Sequence, residues 1–163
     1  MRLKAMAKIN LGLDVLGKRE DGYHEVRMIM QTIRMYDILD IRKTRRPGIV
    51  LTTNLPFIPT DQRNLVYKAA QMLMEEFDVE EGLSIKLRKF IPVAAGMAGG
   101  SSDAAAAFVG VNRMFHLGLT EEQLMERAVK VGADVPYCIM RGTALAEGIG
   151  EKLTRLPEVP KCY

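Results

Sequence analysis

Between an apolar run, Leu83 to Ile91, and a run of alanines, Ala104 to Ala107, the chain reads Pro92-Val93-Ala94-Ala95-Gly96-Met97-Ala98-Gly99-Gly100-Ser101-Ser102-Asp103. No other stretch constrains the fold as much. The apolar run has the length of a strand, and a proline, which brings no ladder donor, closes it. Ser101, Ser102 and Asp103 suit the start of a helix, expected over Ser102 to Phe115. Four successive alanines leave that helix without bulk on any side, so its neighbours must approach closely. The expected unit is strand, glycine-rich loop, helix, with the helix laid on the sheet.

The same stretch has a chemical reading. Glycine lets backbone approach a ligand and reach positive φ without a Cβ clash. A helix start offers unpaired N–H groups and the positive end of a dipole, which together form an anion site. The loop is not G-x-x-x-x-G-K-[ST], since no lysine follows the glycines, and it is not G-x-G-x-x-G. Its plainer alternative is a turn that brings a small-residue helix against a sheet.

At 163 residues the chain suits one domain with a sizeable core. With 48% apolar and 26% charged residues it has a globular composition. A net charge of +3 suits an acidic small molecule and does not argue for nucleic acid. The densest basic run, Arg42-Lys43-Thr44-Arg45-Arg46, falls between strand-like segments and reads as a solvated hairpin end. Cys138 and Cys162 lie far apart without metal-ligand spacing, as expected of reduced thiols in a cytoplasmic protein. With His24 and His116 as the only histidines, no His/Cys metal cluster is expected. No segment has a membrane span's apolar length, and the first residues lack a signal-peptide core or a transit-peptide pattern, which a plastid location would require.

Leu3 to Leu16 alternates through Ile9, Leu11, Leu13 and Val15 and reads as a strand. Gly17 to Gly22 is a turn-rich break. Val26 to Ile33, Ile38 to Lys43 and Ile49 to Thr53 read as three further strands, with Asp37, Pro47-Gly48 and Asn54 as punctuation. Met28, Met30 and Met35 read as core filler. Asn64 opens a helix with Val66, Ala69, Ala70, Leu73 and Phe77 along one face. Thr120-Glu121-Glu122-Gln123 is a capping-box signature for a helix ending at Gly132. Gly142 to Glu147 and Glu151 to Leu156 read as closing strands. The order predicts an α+β fold, β-rich in its first half, with helices packed on a mixed sheet.

Transfer of a phosphoryl group from a nucleotide needs a phosphate cradle, a group to orient or deprotonate the acceptor hydroxyl, and positive charge. The loop suits the first. Ala7-Lys8-Ile9-Asn10 sets a lysine and an amide among apolar neighbours, and Gly132-Ala133-Asp134-Val135-Pro136 sets an aspartate in a small-residue turn. These segments, in this order, resemble the GHMP kinases. Asp21-Gly22-Tyr23-His24, Asn64-Leu65 and Ala146-Glu147-Gly148-Ile149-Gly150-Glu151 carry the likeness to the branch that phosphorylates the 2-hydroxyl of a cytidine diphosphate-linked methylerythritol, in non-mevalonate isoprenoid biosynthesis.

The resemblance implies a fold like that of a ribosomal protein's second domain. It implies ATP as phosphoryl donor, with Mg2+ accompanying it and no protein ligand assigned. Asp134 is implied as the catalytic carboxylate, Lys8 as its cationic partner, and Asn10 as a residue that sets substrate geometry. Tyr23 would stack on the cytosine and His24 would bond its edge. Pro92, Ala94, Gly96, Ala98, Gly99, Gly100, Ser101 and Ser102 would wrap the ATP phosphates, while Asn64 and Lys89 would meet its adenosine. Residues 1–156 would form the nucleotide-binding and catalytic domain, and residues 157–163 would start a C-terminal domain whose absence impairs activity.

Taken singly, each residue has a plainer reading. Lys8 is also an exposed strand lysine, Asp134 a helix cap, His24 a turn residue and Asn64 an N-cap. The rival readings are another GHMP kinase, of mevalonate or homoserine type, and a non-catalytic RNA-binding module of the same fold. An aliphatic acceptor has no base for Tyr23 and His24. An RNA binder needs a basic face with interleaved aromatics, which 6% aromatic content does not suggest.

Overall fold

The computed structural model describes residues 1–18, 20, 22 and 24–160. Its elements are β1 (Arg2–Lys18), β2 (His24–Thr44), β3 (Ile49–Thr53), α1 (Leu65–Glu76), β4 (Gly82–Arg88), α2 (Gly99–Phe115), α3 (Glu121–Ala128), α4 (Val135–Met140), β5 (Thr143–Gly148) and β6 (Lys152–Arg155). They form the expected α+β fold, with a single mixed sheet.

The long strand β2 organises that sheet. One edge pairs with β1, from Arg2 opposite Asp40 to Lys18 opposite His24. The other edge is shared: β5 takes Val26 to Gln31 and β4 takes Ile38 to Thr44, both antiparallel. Between these stretches, residues 32–37 of β2 have no strand on that side, and the parts of the candidate site enter there. β3 lies parallel to β4 with α1 as the crossover, since a parallel neighbour cannot be reached by a tight turn.

The helices cover one sheet face. Leu39, Ile41, Leu83, Ile85 and Leu87 from the sheet pack with Val66, Ala69, Ala70 and Leu73 of α1 and with Ala104 to Phe108 and Val111 of α2. The alanines act as expected. A Cβ on Gly110 would stand 2.5 Å from Ile41 Cδ1 and 2.7 Å from Leu3 Cδ1. Each large side chain buried here adds about 1.5–3 kcal/mol.

The structure departs from the sequence-based expectations in several places. β2 is one strand, not two: Asp37 does not interrupt it, because its buried side chain is satisfied by donors from a neighbouring segment. β4 stops at Arg88, where the chain turns toward the loop. α2 starts at Gly99, so the paired glycines lie in its first turn. α3 keeps its capping box but ends at Ala128, with single-turn hydrogen bonds continuing to Gly132. The turn expected at Val135-Pro136 is the start of α4, which proline tolerates because a first-turn residue needs no intrahelical donor.

The alternating face of β1 is also not half-buried. Leu11, Leu13 and Val15 are 50–58% exposed, because no helix of the described residues covers that stretch of the ribbon. Of the expected filler, Met28 and Met30 are buried and Met35 is exposed. The basic run ends at an exposed bend between β2 and β3, as expected.

Candidate functional site

The loop leaving β4 alternates its backbone hand. Ala94, Gly96 and Ala98 have φ of 60°, 72° and 53°, so three residues two apart lie in the left-handed region. Alanine costs roughly 1–2 kcal/mol there, and such strain accumulates where function constrains backbone. Backbone of alternating hand gathers N–H groups into an anion-binding hollow. The loop ends at the N-terminus of α2, whose cap residue, Ala98, makes no side-chain hydrogen bond. The N–H groups of Gly99, Gly100 and Ser101 therefore face an open end with the dipole behind them.

The loop and the first two residues of α2, Gly99 and Gly100, line a cavity of about 400 Å³, and Ser101 does not. Eight of the ten residues proposed to meet a nucleotide line it: Pro92, Ala94, Gly96, Ala98, Gly99, Gly100, Asn64 and Lys89. Asn64 is also the N-cap of α1, its side chain accepting from Val66 N–H and donating to the Pro59 carbonyl, so both plain and functional readings stand. Ser102 differs from expectation. Its hydroxyl donates to the Met6 carbonyl at 2.6 Å and its N–H to Ala98, so no donor is left for an anion; it locks α2 to β1.

Lys8 is 5% exposed, unlike the solvated strand lysine of its plain reading. Its ammonium lies 3.0 Å from Asn10 Oδ1 and 3.5 Å from Asp134 Oδ2. Its backbone N–H donates to the Met97 carbonyl, which seats the pair beside the loop. Asp134 occupies the N-cap position of α4 but makes no capping bond, and its side chain is 31% exposed. The carboxylate is thus held toward the buried ammonium and open to a ligand.

α4 is fixed to the sheet behind this pair. Tyr137 Oη donates to the Gly142 carbonyl and meets Thr32 Oγ1, in the unpaired stretch of β2. Burial pushes the Tyr137 phenol up to about 12, and likewise the Cys138 thiol up to about 12, so neither is a nucleophile near neutral pH. The turn between β5 and β6 also reaches the site. A Cβ on Gly150 would stand 2.9 Å from Met28 Cε and 3.9 Å from Asp134 Oδ1.

The third group is less complete. His24 opens β2, opposite Lys18, near the tip of the β1–β2 ribbon. Bulges after Met6, Asn10 and Val15 bend that ribbon. Tyr23 lies outside the described residues. The structure therefore brings Lys8, Asn10 and Asp134 together beside the loop and leaves His24 at the far end of the same ribbon.

Sequence reasoning missed three charged residues. Asp37 and Asp103 grip Lys89 beneath the cavity, and Arg63 lines it. Lys89 is accordingly not free to reach out, being buried between two carboxylates. An aspartate followed by four alanines was the available signal for Asp103, since a charge entering so apolar a helix needs a partner.

Residues 64–142 match the family described as GHMP kinases N terminal domain. Family match and fold agree: the chain has the fold of a GHMP kinase N-terminal domain.

Among similar curated proteins, the 4-diphosphocytidyl-2-C-methyl-D-erythritol kinase of Lachnospira eligens is 57% identical over 163 residues, which is 100% of this chain and 57% of that protein. A crystal structure of 4-(cytidine 5'-diphospho)-2C-methyl-D-erythritol kinase has a TM-score of 0.83 at 35% identity, covering 96% of this chain and 55% of that one. The Methanococcus jannaschii mevalonate kinase, with a TM-score of 0.73 at 15% identity over 96% of this chain and 56% of that one, shares the fold alone. The chain spans about half the length of the relatives it matches.

Proposed function

We propose that the protein transfers a phosphoryl group from ATP to the 2-hydroxyl of 4-diphosphocytidyl-2-C-methyl-D-erythritol, giving ADP and the 2-phosphate, a step of non-mevalonate isoprenoid precursor synthesis. The observation that carries this reading is the Lys8–Asp134 pair, 3.5 Å apart and hydrogen-bonded through the Lys8 backbone to the anion loop. Kinship to relatives bearing that name supports the choice of acceptor.

In this reading the loop N–H groups hold the polyphosphate, and the acceptor hydroxyl sits against Asp134. The hydroxyl oxygen bonds the γ-phosphorus as the bond to the ADP oxygen breaks, and the hydroxyl proton passes to Asp134. Lys8 offsets the charge that develops on the acceptor side, and Asn10 holds the Lys8 ammonium in place. Mg2+ bound with ATP would neutralise phosphate charge. Among the described residues no three acidic, histidine or cysteine side chains gather into a metal site, so the ion would be held largely by the nucleotide. Tyr23 and His24 take the cytosine.

Phosphoryl transfer from ATP to the cytidyl compound, to mevalonate and to homoserine, followed by phosphorus NMR, tests the assignment. Transfer to mevalonate or homoserine alone would overturn the acceptor and keep the kinase. Binding of RNA without transfer would overturn both. Replacing His24 by alanine is expected to raise KM for the cytidyl compound roughly tenfold, through a base edge left unpaired, with KM for ATP unchanged.

Gly99→Val is expected to abolish ATP binding, by a route the sequence did not suggest. The new Cβ would point inward, to 3.1 Å from Lys89 Nζ and 3.2 Å from Ile91 Cγ2, and would push the first turn of α2 outward. Titration calorimetry showing the parent affinity in a folded variant would sink this expectation.

A further inference from the structure

Three charged side chains lie under the floor of the loop, all nearly sealed from water. Asp37 is 0%, Asp103 2% and Lys89 7% exposed. Lys89 Nζ donates to Asp37 Oδ2 and, at 2.7 Å, to Asp103 Oδ2. Asp37 Oδ1 accepts the N–H groups of Phe90 and Ile91, the latter at 2.8 Å. Lys89 precedes the loop and Asp103 follows it, so the ammonium ties the two ends of the loop to each other and to the sheet.

The cluster is unbalanced. Two carboxylates share one ammonium, so with both ionised the cluster holds one negative charge in excess on nearly buried side chains. The polar atoms are unbalanced as well: Asp103 Oδ1 is buried and has no hydrogen-bond partner among the described residues. That excess charge sits on the second turn of α2, directly behind the end that faces the cavity.

We propose that the cluster takes up a proton on Asp103 when a nucleotide polyphosphate occupies the loop above it, so that Asp103 is a positioning residue which serves the site in its neutral form. The inference rests on the nucleotide reading of the cavity. Phosphate oxygens over the α2 N-terminus and an ionised Asp103 repel each other through a dry interior, where charges act strongly. A proton removes the repulsion and keeps the Lys89 bridge, because Oδ2 still accepts while Oδ1 carries the hydrogen.

The environment already favours that proton. Burial pushes the Asp103 carboxyl up to about 8; Lys89 pulls it down and the neighbouring Asp37 adds to the rise. Burial also works against the charge of Lys89, yet the two carboxylates together hold its pKa above the ordinary value. The elements around α2 also carry ionisable groups, among them Lys8 on β1, Asp134, Tyr137 and Cys138 at α4, and Arg63 before α1 at the cavity wall. Among the described residues only Lys89 hydrogen-bonds the Asp103 side chain. The sign follows: affinity for ATP is full below the Asp103 pKa and falls as pH rises through it, since binding must first restore the proton.

Calorimetry of ATP binding to this chain near pH 8, in Tris and in HEPES, reads the proton directly, because the buffers differ in ionisation heat. The expected uptake is roughly half a proton per ATP, with Kd rising toward about tenfold per pH unit in the alkaline range. Adenosine, lacking phosphate, should bind without uptake. Asp103→Asn keeps the shape without the charge and should bind ATP with no uptake and no alkaline loss.

Equal heats in the two buffers for the parent protein would overturn the proposal even if the variant did not fold. An Asp103→Asn protein with the parent's alkaline loss would also overturn it. Absence of ATP binding at every pH would overturn the nucleotide reading together with this inference.

Discussion

Asp134→Asn is expected to lower turnover of ATP-dependent phosphoryl transfer by at least about 100-fold, and by as much as about 10⁴-fold, while ATP still binds. The range is that of lost general acid–base help. Asparagine keeps the outline of the side chain but can neither accept the acceptor proton nor form an ion pair with the Lys8 ammonium. The fold should tolerate the change, since Asp134 makes no capping bond to α4 and its side chain is 31% exposed. Lys8→Ala should cost a comparable factor in the proposed reaction, because it removes a buried cation 3.5 Å from the carboxylate. Single-turnover assays at saturating ATP, beside ATP titrations, separate chemistry from binding. Full turnover by folded Asp134→Asn would remove the aspartate from the mechanism.

Asp37→Ala is expected to destabilise the fold by about 3–5 kcal/mol, the range for breaking one side of a buried ion pair. The loss has several sources. The N–H groups of Phe90 and Ile91 would lose their acceptor, Lys89 would keep one carboxylate, and a void would open in the middle of β2. An unmade hydrogen bond at a buried donor is costly by itself. Asp40, three residues further along β2 and on its other face, pairs with Arg2 and Arg88 at the partly exposed surface and should matter far less. Chemical denaturation of the two variants measures the contrast. Equal, small losses at both positions would show that the buried cluster does not hold the sheet to the loop.

Much of the site was legible before the fold. The loop was legible because glycine, serine and a bounding proline act on the backbone within a few residues, and local backbone preference is what a sequence displays. The Asn64 cap and the Thr120 capping box were legible for the same reason, and both stand where expected. Lys8 and Asp134 were legible as motif members, although their meeting was not, since 126 positions of chain separate 8 from 134. The six residues of α4 were missed because helical periodicity needs more than one turn to show itself.

What the sequence by itself determined, then, is the set of local choices: the strands, the main helices, the loop between β4 and α2, and an α+β order without regular alternation. What tertiary structure alone decided concerns burial and charge. Asp37 reads as punctuation in a sequence, because aspartate is usually exposed, and becomes a mid-strand anchor once β4 ends beside it and turns Lys89 inward. The alternation of Leu11, Leu13 and Val15 promises a covered face that no helix of the described residues supplies. Gly99 reads as room for a ligand, yet its missing Cβ leaves room for Lys89 and Ile91. Backbone preference is encoded within a few neighbours, whereas desolvation and ion pairing depend on which distant segments fold against one another.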